Sequence, residues 1–314
     1  MFKMQKRITE AHLILVVTFG LYIGFQWCRQ WLPFDSTVFQ VAAGQLILVL
    51  PGACWMKYKK VDLNDRFKMG TLSGENVKMA LAVLVCAYPA AVLLNILSMM
   101  FVKNAMTSVI SSMIPLGLFP MLFIMALMPA FNEEFLCRGI LYQAYSPVSK
   151  VGGAILSAFV FGLLHLNFNQ MSYAFFIGIV FALMVEGTGS IYTSMLMHFV
   201  LNGLNVVLNF ITYRSDPVRA DESMAASQRM ISEMTASPEA FRNNLLMITV
   251  LLIIFIGMTG IMIWKTFKIN GKNLKAQQTS EEGLKGERAS ILDIWVLFFI
   301  GFALILTYLN TNFL

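Results

Sequence analysis

The sequence predicts an all-α, polytopic transmembrane helix bundle of about nine spans, with a polar site near mid-membrane. Three observations carry that prediction. Of 314 residues, 58% are hydrophobic and only 13% are charged, whereas soluble domains carry about 25% charged residues. The mean hydropathy is +0.70. Stretches free of Asp, Glu, Lys and Arg recur along the chain, and many reach the roughly 20 residues that a helix needs to cross the hydrocarbon core. Disorder and disulfide scaffolds are excluded by the apolar content and by four cysteines scattered at 28, 54, 86 and 137 with no CxxC pair.

The spans predicted in order are 11–28, 37–56, 79–102, 113–143, 150–166, 171–186, 188–212, 244–264 and 291–310. Lys3, Lys6 and Arg7 precede the first apolar run, but no small-residue cleavage site follows before Trp27, Cys28 and Arg29. This run is therefore a membrane helix and not a leader peptide. Pro115, Pro120 and Pro129 are expected to distort the fourth helix and to free backbone groups that line a wet cavity. The charge-free stretch 151–185 is too long for one crossing and is broken by Asn167-Phe168-Asn169-Gln170, so it reads as two helices. Residues 213–243, with Pro217 and Pro238, read as an extracytoplasmic loop or surface helix, and 266–290 as a charged cytoplasmic linker. The chain thus divides into N-terminal helices (1–112), a catalytic helix core (113–212), an external loop (213–243) and two C-terminal helices with their basic linker (244–314).

Lys and Arg placement sets the orientation. A cytoplasmic N-terminus puts Lys3, Lys6 and Arg7 on the inside, then Lys57, Lys59, Lys60, Arg66, Lys68 and Lys78. Lys150, Lys265, Lys268, Lys272, Lys275, Lys285 and Arg288 join them. Arg29, Lys103, Arg214, Arg219, Arg229 and Arg242 fall outside, the last four outnumbered by Asp216, Asp221, Glu222, Glu233 and Glu239. The expected localisation is a multi-pass cell-membrane protein with its C-terminus outside. The net charge of +6 is a topology signal, and no nucleic-acid partner is expected.

Ionisable residues inside a membrane are costly and mark function by default. Here they gather in Asn-Glu-Glu-Phe-Leu-Cys-Arg-Gly around Glu133, Glu134 and Arg138, in Phe-Gly-Leu-Leu-His ending at His165, and in His-Phe-Val-Leu-Asn holding His198 and Asn202. Residues four apart share a helix face, so Glu134 pairs with Arg138, while Glu133 is turned about 100° away and is the candidate base. The same spacing puts His198 with Asn202, and Phe161 with His165. Counting ~1.5 Å per residue from the expected exits puts Glu133 at ~20 Å, His165 at ~22 Å and His198 at ~16 Å along their helices, so three helices can bring them to one level.

A carboxylate and an imidazole can hold and deprotonate a water, and a second imidazole with an amide can donate to the oxyanion formed at a carbonyl. Two histidines and a glutamate are also a ligand set for catalytic zinc; these would be Glu133, His165 and His198. The residues alone leave both open, although the HExxH spacing is absent.

Glu-Glu-x-x-x-Arg at 133–138, Phe-x-x-x-His at 161–165 and His-x-x-x-Asn at 198–202, in this order on separate helices, resemble the CPBP family. That family groups type II CAAX prenyl endopeptidases with bacteriocin-processing and immunity (Abi) proteins. The resemblance spans roughly residues 113–210 and implies an intramembrane endopeptidase acting on a membrane-associated peptide or protein. It implies that Glu133 and His165 activate water, His198 and Asn202 stabilise the oxyanion, and Glu134, Arg138 and Phe161 support them. It favours a metal-free glutamate mechanism with no cofactor over zinc.

Two other functions compete. A non-catalytic immunity or scaffold protein of the same fold would bind a partner without turnover. A proton-coupled transporter would use the same groups as a relay, but would call for an inverted repeat that the sequence lacks. Blander roles suit the other residues. Cys137 packs, Gly187, Gly189 and Gly203 allow close helix approach, His12 sits at the interface, and Asp293 is a helix N-terminal charge.

Overall fold

Within lipid, each backbone N–H and C=O must bond inside its own segment, so apolar runs become helices. The computed structural model describes residues 3–31, 36–62, 67–102, 106–215, 217–274 and 289–313. Its helices are α1 (Lys3–Cys28), α2 (Thr37–Lys59), α3 (Gly74–Met99), α4 (Met106–Met113), α5 (Leu118–Tyr145), α6 (Lys150–Leu164), α7 (Phe168–Thr188), α8 (Ile191–Ser215), α9 (Pro217–Met234), α10 (Pro238–Ile269) and α11 (Ile294–Phe313). All but α4, α6 and α9 are long and apolar enough to cross a membrane, and α6 is a shorter apolar helix. The architecture is the expected all-α bundle of about nine spans. Of the charges used to orient it, Arg66, Lys103, Asp216, Lys275, Lys285 and Arg288 lie outside the described residues, and so do the side chains of Arg219, Asp221 and Glu222.

The site-bearing helix α5 is central. It packs against α1, α2, α6, α7 and α8, and Leu136, Cys137, Ile140 and Leu141 join one buried core with Ile8 and Leu15 of α1, Leu48 of α2, Val160 and Leu163 of α6 and Phe299 of α11. Cys137 is fully buried in that core. As the prolines suggest, α5 is not regular. It is π-helical over Phe123–Leu127 and again over Phe135–Leu141, with the α-helical turn Met128–Glu134 between. Such wide turns are rare and concentrate at functional sites.

Helix α6 has 15 residues, a rise of about 22 Å against a hydrocarbon core about 30 Å thick. The chain reverses through His165, Leu166 (φ 50°) and Asn167, where the polar run was expected to break the helix. Asn167 caps α7 by accepting from Asn169 N at 2.8 Å and Gln170 N at 3.2 Å. The Leu166 carbonyl accepts from Asn310 Nδ2 of α11 at 3.2 Å.

The 213–243 segment takes the helical one of its two expected forms. It contains α9 and the start of α10, because Ser237 accepts from Ala240 N at 3.1 Å, Pro238 occupies the first turn and Glu239 complements the helix dipole. His12 is fully buried among protein side chains. Its Nδ1 lies 2.7 Å from Asp293 Oδ1 and its Nε2 is 2.8 Å from the Tyr145 hydroxyl, a pairing across 281 positions of sequence that local reading does not reach. Asp293 also accepts from Trp295 N at 3.0 Å and Val296 N at 3.2 Å, capping α11 as expected. Gly189 is a helix terminator at φ 73° rather than a packing contact.

Candidate active site

Glu134 and Arg138 sit four residues apart on α5, both with no exposed surface. Arg138 Nη1 donates to Glu134 Oε1 at 2.9 Å. Its Nη2 reaches across to the Gly178 carbonyl of α7, also at 2.9 Å. A Cβ at position 178 would stand 3.0 Å from that nitrogen and 2.8 Å from the Ala158 Cβ, so glycine is what admits the guanidinium. The Arg138 guanidinium carbon lies 4.5 Å from the Phe161 ring centre and 5.4 Å from that of Phe181, an aromatic sandwich for a buried cation.

His198 Nδ1 lies 2.9 Å from Glu134 Oε1. A carboxylate only accepts, so Nδ1 carries the proton and donates. The other ring nitrogen, Nε2, is 3.8 Å from Glu133 Oε2, beyond hydrogen-bond length. Glu134 thus fixes the tautomer and ring plane of the histidine that approaches Glu133. Phe161 meets the His198 ring edge-to-face at 5.8 Å and the His165 ring at 5.1 Å, so one phenyl ring spaces the two histidines.

His165 is placed by a separate device. Its Nδ1 is 2.9 Å from the Phe161 carbonyl, which can only accept, so the neutral ring presents an unprotonated Nε2. Among the described residues His165 has no hydrogen bond or ion pair to Glu133. Asn202, one turn beyond His198 on α8, donates Nδ2 to the Met125 carbonyl at 3.3 Å. Pro129 has no N–H to offer that carbonyl four residues back. The expected backbone group freed by a proline therefore exists, and an amide side chain holds it.

One contributor was missed in the sequence. Gln45 of α2 donates Nε2 to Glu133 Oε1 at 2.9 Å, and Asn132 Nδ2 donates to the Gln45 carbonyl at 2.9 Å. The amide must turn its NH₂ toward the carboxylate, which leaves Gln45 Oε1 as a buried acceptor without a partner. The available signal was an amide within the charge-free stretch 37–56.

Residues 115–204 match the family model described as type II CAAX prenyl endopeptidase Rce1-like. The match supports a CPBP-family intramembrane protease. It covers less than a third of the chain and takes in all seven residues singled out on α5, α6 and α8. Comparisons with curated proteins and with solved structures return no match. The CPBP-type segment leaves out α2, which brings Gln45, and α11, which closes the turn after His165.

Glu133, His165 and His198 are the residue types that bind catalytic zinc. Among the described residues no group of three His, Cys, Asp or Glu side chains is placed to hold a metal ion. Glu133, His165 and His198 as arranged do not fit one.

Proposed function

We propose that this chain is an intramembrane endopeptidase that hydrolyses a peptide bond of a membrane-associated protein or peptide, with Glu133 and His165 activating water and His198 and Asn202 holding the oxyanion. The observation that carries the reading is the junction at His198: a fully buried carboxylate fixes one ring nitrogen while the other approaches Glu133. In the reaction, Glu133 takes a proton as the water oxygen attacks the scissile carbonyl. The developing O⁻ is met by donors on His198 Nε2 and Asn202 Nδ2, and collapse sends the proton to the departing amine. For His198 to donate from both nitrogens its ring must be cationic; Glu134, already paired with Arg138, orients that ring, and Glu133 supplies the opposing charge until the oxyanion takes its place. The His165 Nε2 lone pair is available to the same water because Nδ1 is held by the Phe161 carbonyl. The lysine-rich end of the bundle faces the cytoplasm in this reading, which leaves the C-terminus outside.

The test compares peptides released from host membranes that carry wild type or Glu133→Gln at equal abundance. A product seen only with wild type supports proteolysis and reveals the substrate class. Identical peptide profiles, with the variant still fulfilling its role in the host, would instead establish a binding or immunity protein of this fold.

A further inference from the structure

Away from the Glu133–His198 site, a second set of charges gathers where α6 begins and α7 and α10 end. Glu186 is 4% exposed. Its Oε1 lies 3.0 Å from Lys150 Nζ, while Oε2 accepts from the Tyr142 hydroxyl at 3.1 Å and from Lys68 Nζ. Lys150 also donates to the Asn273 carbonyl at 2.9 Å. Lys68 is brought in by its neighbours. Phe67 packs on Gly139, where a Cβ would stand 1.9 Å from the ring, and the Lys68 carbonyl accepts from Ile191 N at 2.7 Å. Lys272 arrives from the end of α10, its Nζ 3.9 Å from where a Cβ on Gly189 would lie.

Two ammonium groups therefore meet one carboxylate, and a third, that of Lys272, stands near them. Glu186 attracts Lys68, and Lys150 and Lys272 repel it. Burial is the largest cause, and it holds the Lys68 ammonium below the usual lysine range despite Glu186. Neutralising one carboxylate needs one lysine, so among the described residues the cluster carries two positive charges beyond those that Glu186 offsets. It opens to its surroundings, since the Lys68 side chain is 28% exposed and Lys272 is exposed. Its level is marked by Trp264, 62% exposed on α10, with Lys268 Nζ 5.3 Å from its ring centre. Exposed tryptophan beside lysine is characteristic of the headgroup layer, and Lys272 follows in the turn that closes α10 after Ile269.

We propose that Lys68, Lys150 and Lys272 form a binding site for a phosphate-bearing anion, drawn either from an anionic phospholipid headgroup or from free phosphate. Basic pockets between membrane helices at this level suit lipid phosphates, and an arriving anion would offset the excess charge that Glu186 leaves. The site is independent of the proteolytic reading.

The test titrates the purified full chain in neutral detergent with short-chain phosphatidylglycerol, with phosphatidylcholine and with inorganic phosphate. Binding is read by thermal stabilisation, and bound lipid is counted by native mass spectrometry. Phosphatidylglycerol should stabilise the protein and phosphatidylcholine should not. Inorganic phosphate acting alone identifies free phosphate as the source, whereas phosphatidylglycerol alone identifies the lipid. Lys272→Glu should weaken binding about 25-fold and Lys272→Gln about fivefold, at about a factor of five per elementary charge. Lys57→Glu, an exposed lysine on α2, should change it less than twofold. The proposal is overturned if neither anion binds, or if Lys57→Glu weakens binding as much as Lys272→Glu.

Discussion

Replacing Arg138 by methionine keeps an unbranched side chain between Phe161 and Phe181 but removes the cation. Glu134 then loses its 2.9 Å guanidinium partner, leaving it without a full opposing charge beside His198, while the Gly178 carbonyl loses its donor. Both Glu134 and Arg138 are fully buried, so water cannot substitute. Removing one member of a buried pair costs about 3–5 kcal/mol, much of it the penalty of the stranded charge. If that is the origin of the loss, removing the stranded charge as well should restore stability. The double variant Glu134→Gln/Arg138→Met should recover at least half of what the single variant loses. The assay is equilibrium unfolding of the purified protein in mixed detergent micelles, read by tryptophan fluorescence. A loss below about 1 kcal/mol for the single variant, or a double variant no more stable than the single, would refute the argument that a compensated buried charge holds α5 to α7 and α8.

Other outcomes follow from the same contacts. Gln45→Ala should lower turnover by about tenfold to a hundredfold through misplacement of Glu133, with substrate KM and melting temperature little changed. Gln45→Asn should restore part of the loss; unchanged turnover would remove Gln45 from the site. Asp293→Ala deletes both the α11 cap and the His12 contact and should cost about 1–3 kcal/mol in the same unfolding assay. Lys68 carries a pH signature. Because its folded-state pKa is lowered mainly by burial, the unfolded chain holds more protons below the ordinary lysine value of about 10.4, and stability should rise as pH climbs toward it. In a melting series across alkaline pH, wild type should gain on Lys68→Met, and parallel curves would contradict the burial of that ammonium.

The features legible in the sequence were those that helix periodicity and charge counting can reach. The spacing of Glu134 and Arg138 gave their contact, and Asn167-Phe168-Asn169-Gln170 marked the break between α6 and α7. Pro129 signalled a carbonyl needing a new partner, although not that Asn202 would provide it. Contacts set by tertiary packing were not legible. Gln45 meets Glu133 across 88 positions, and no local pattern distinguishes it from the Gln40 on the same helix. Glu186 follows the charge-free stretch 151–185 with no local sign of its partners, because its lysines come from a loop 118 positions away and from the start of α6. The π-helical turns of α5 depend on how neighbouring helices take up freed backbone groups, which prolines alone do not specify.

The Asn310 bond to the Leu166 carbonyl has a practical consequence. The turn that presents His165 is closed by the last helix of the chain, and the carboxylate it would work with is steadied by the second. An excised fragment holding only residues 113–212 would keep every motif yet leave that carbonyl facing hydrocarbon and Glu133 unsupported. The motif-bearing segment is therefore not a portable module. Transplanting it into another scaffold, or trimming the chain for crystallisation, requires that both flanking helices travel with it.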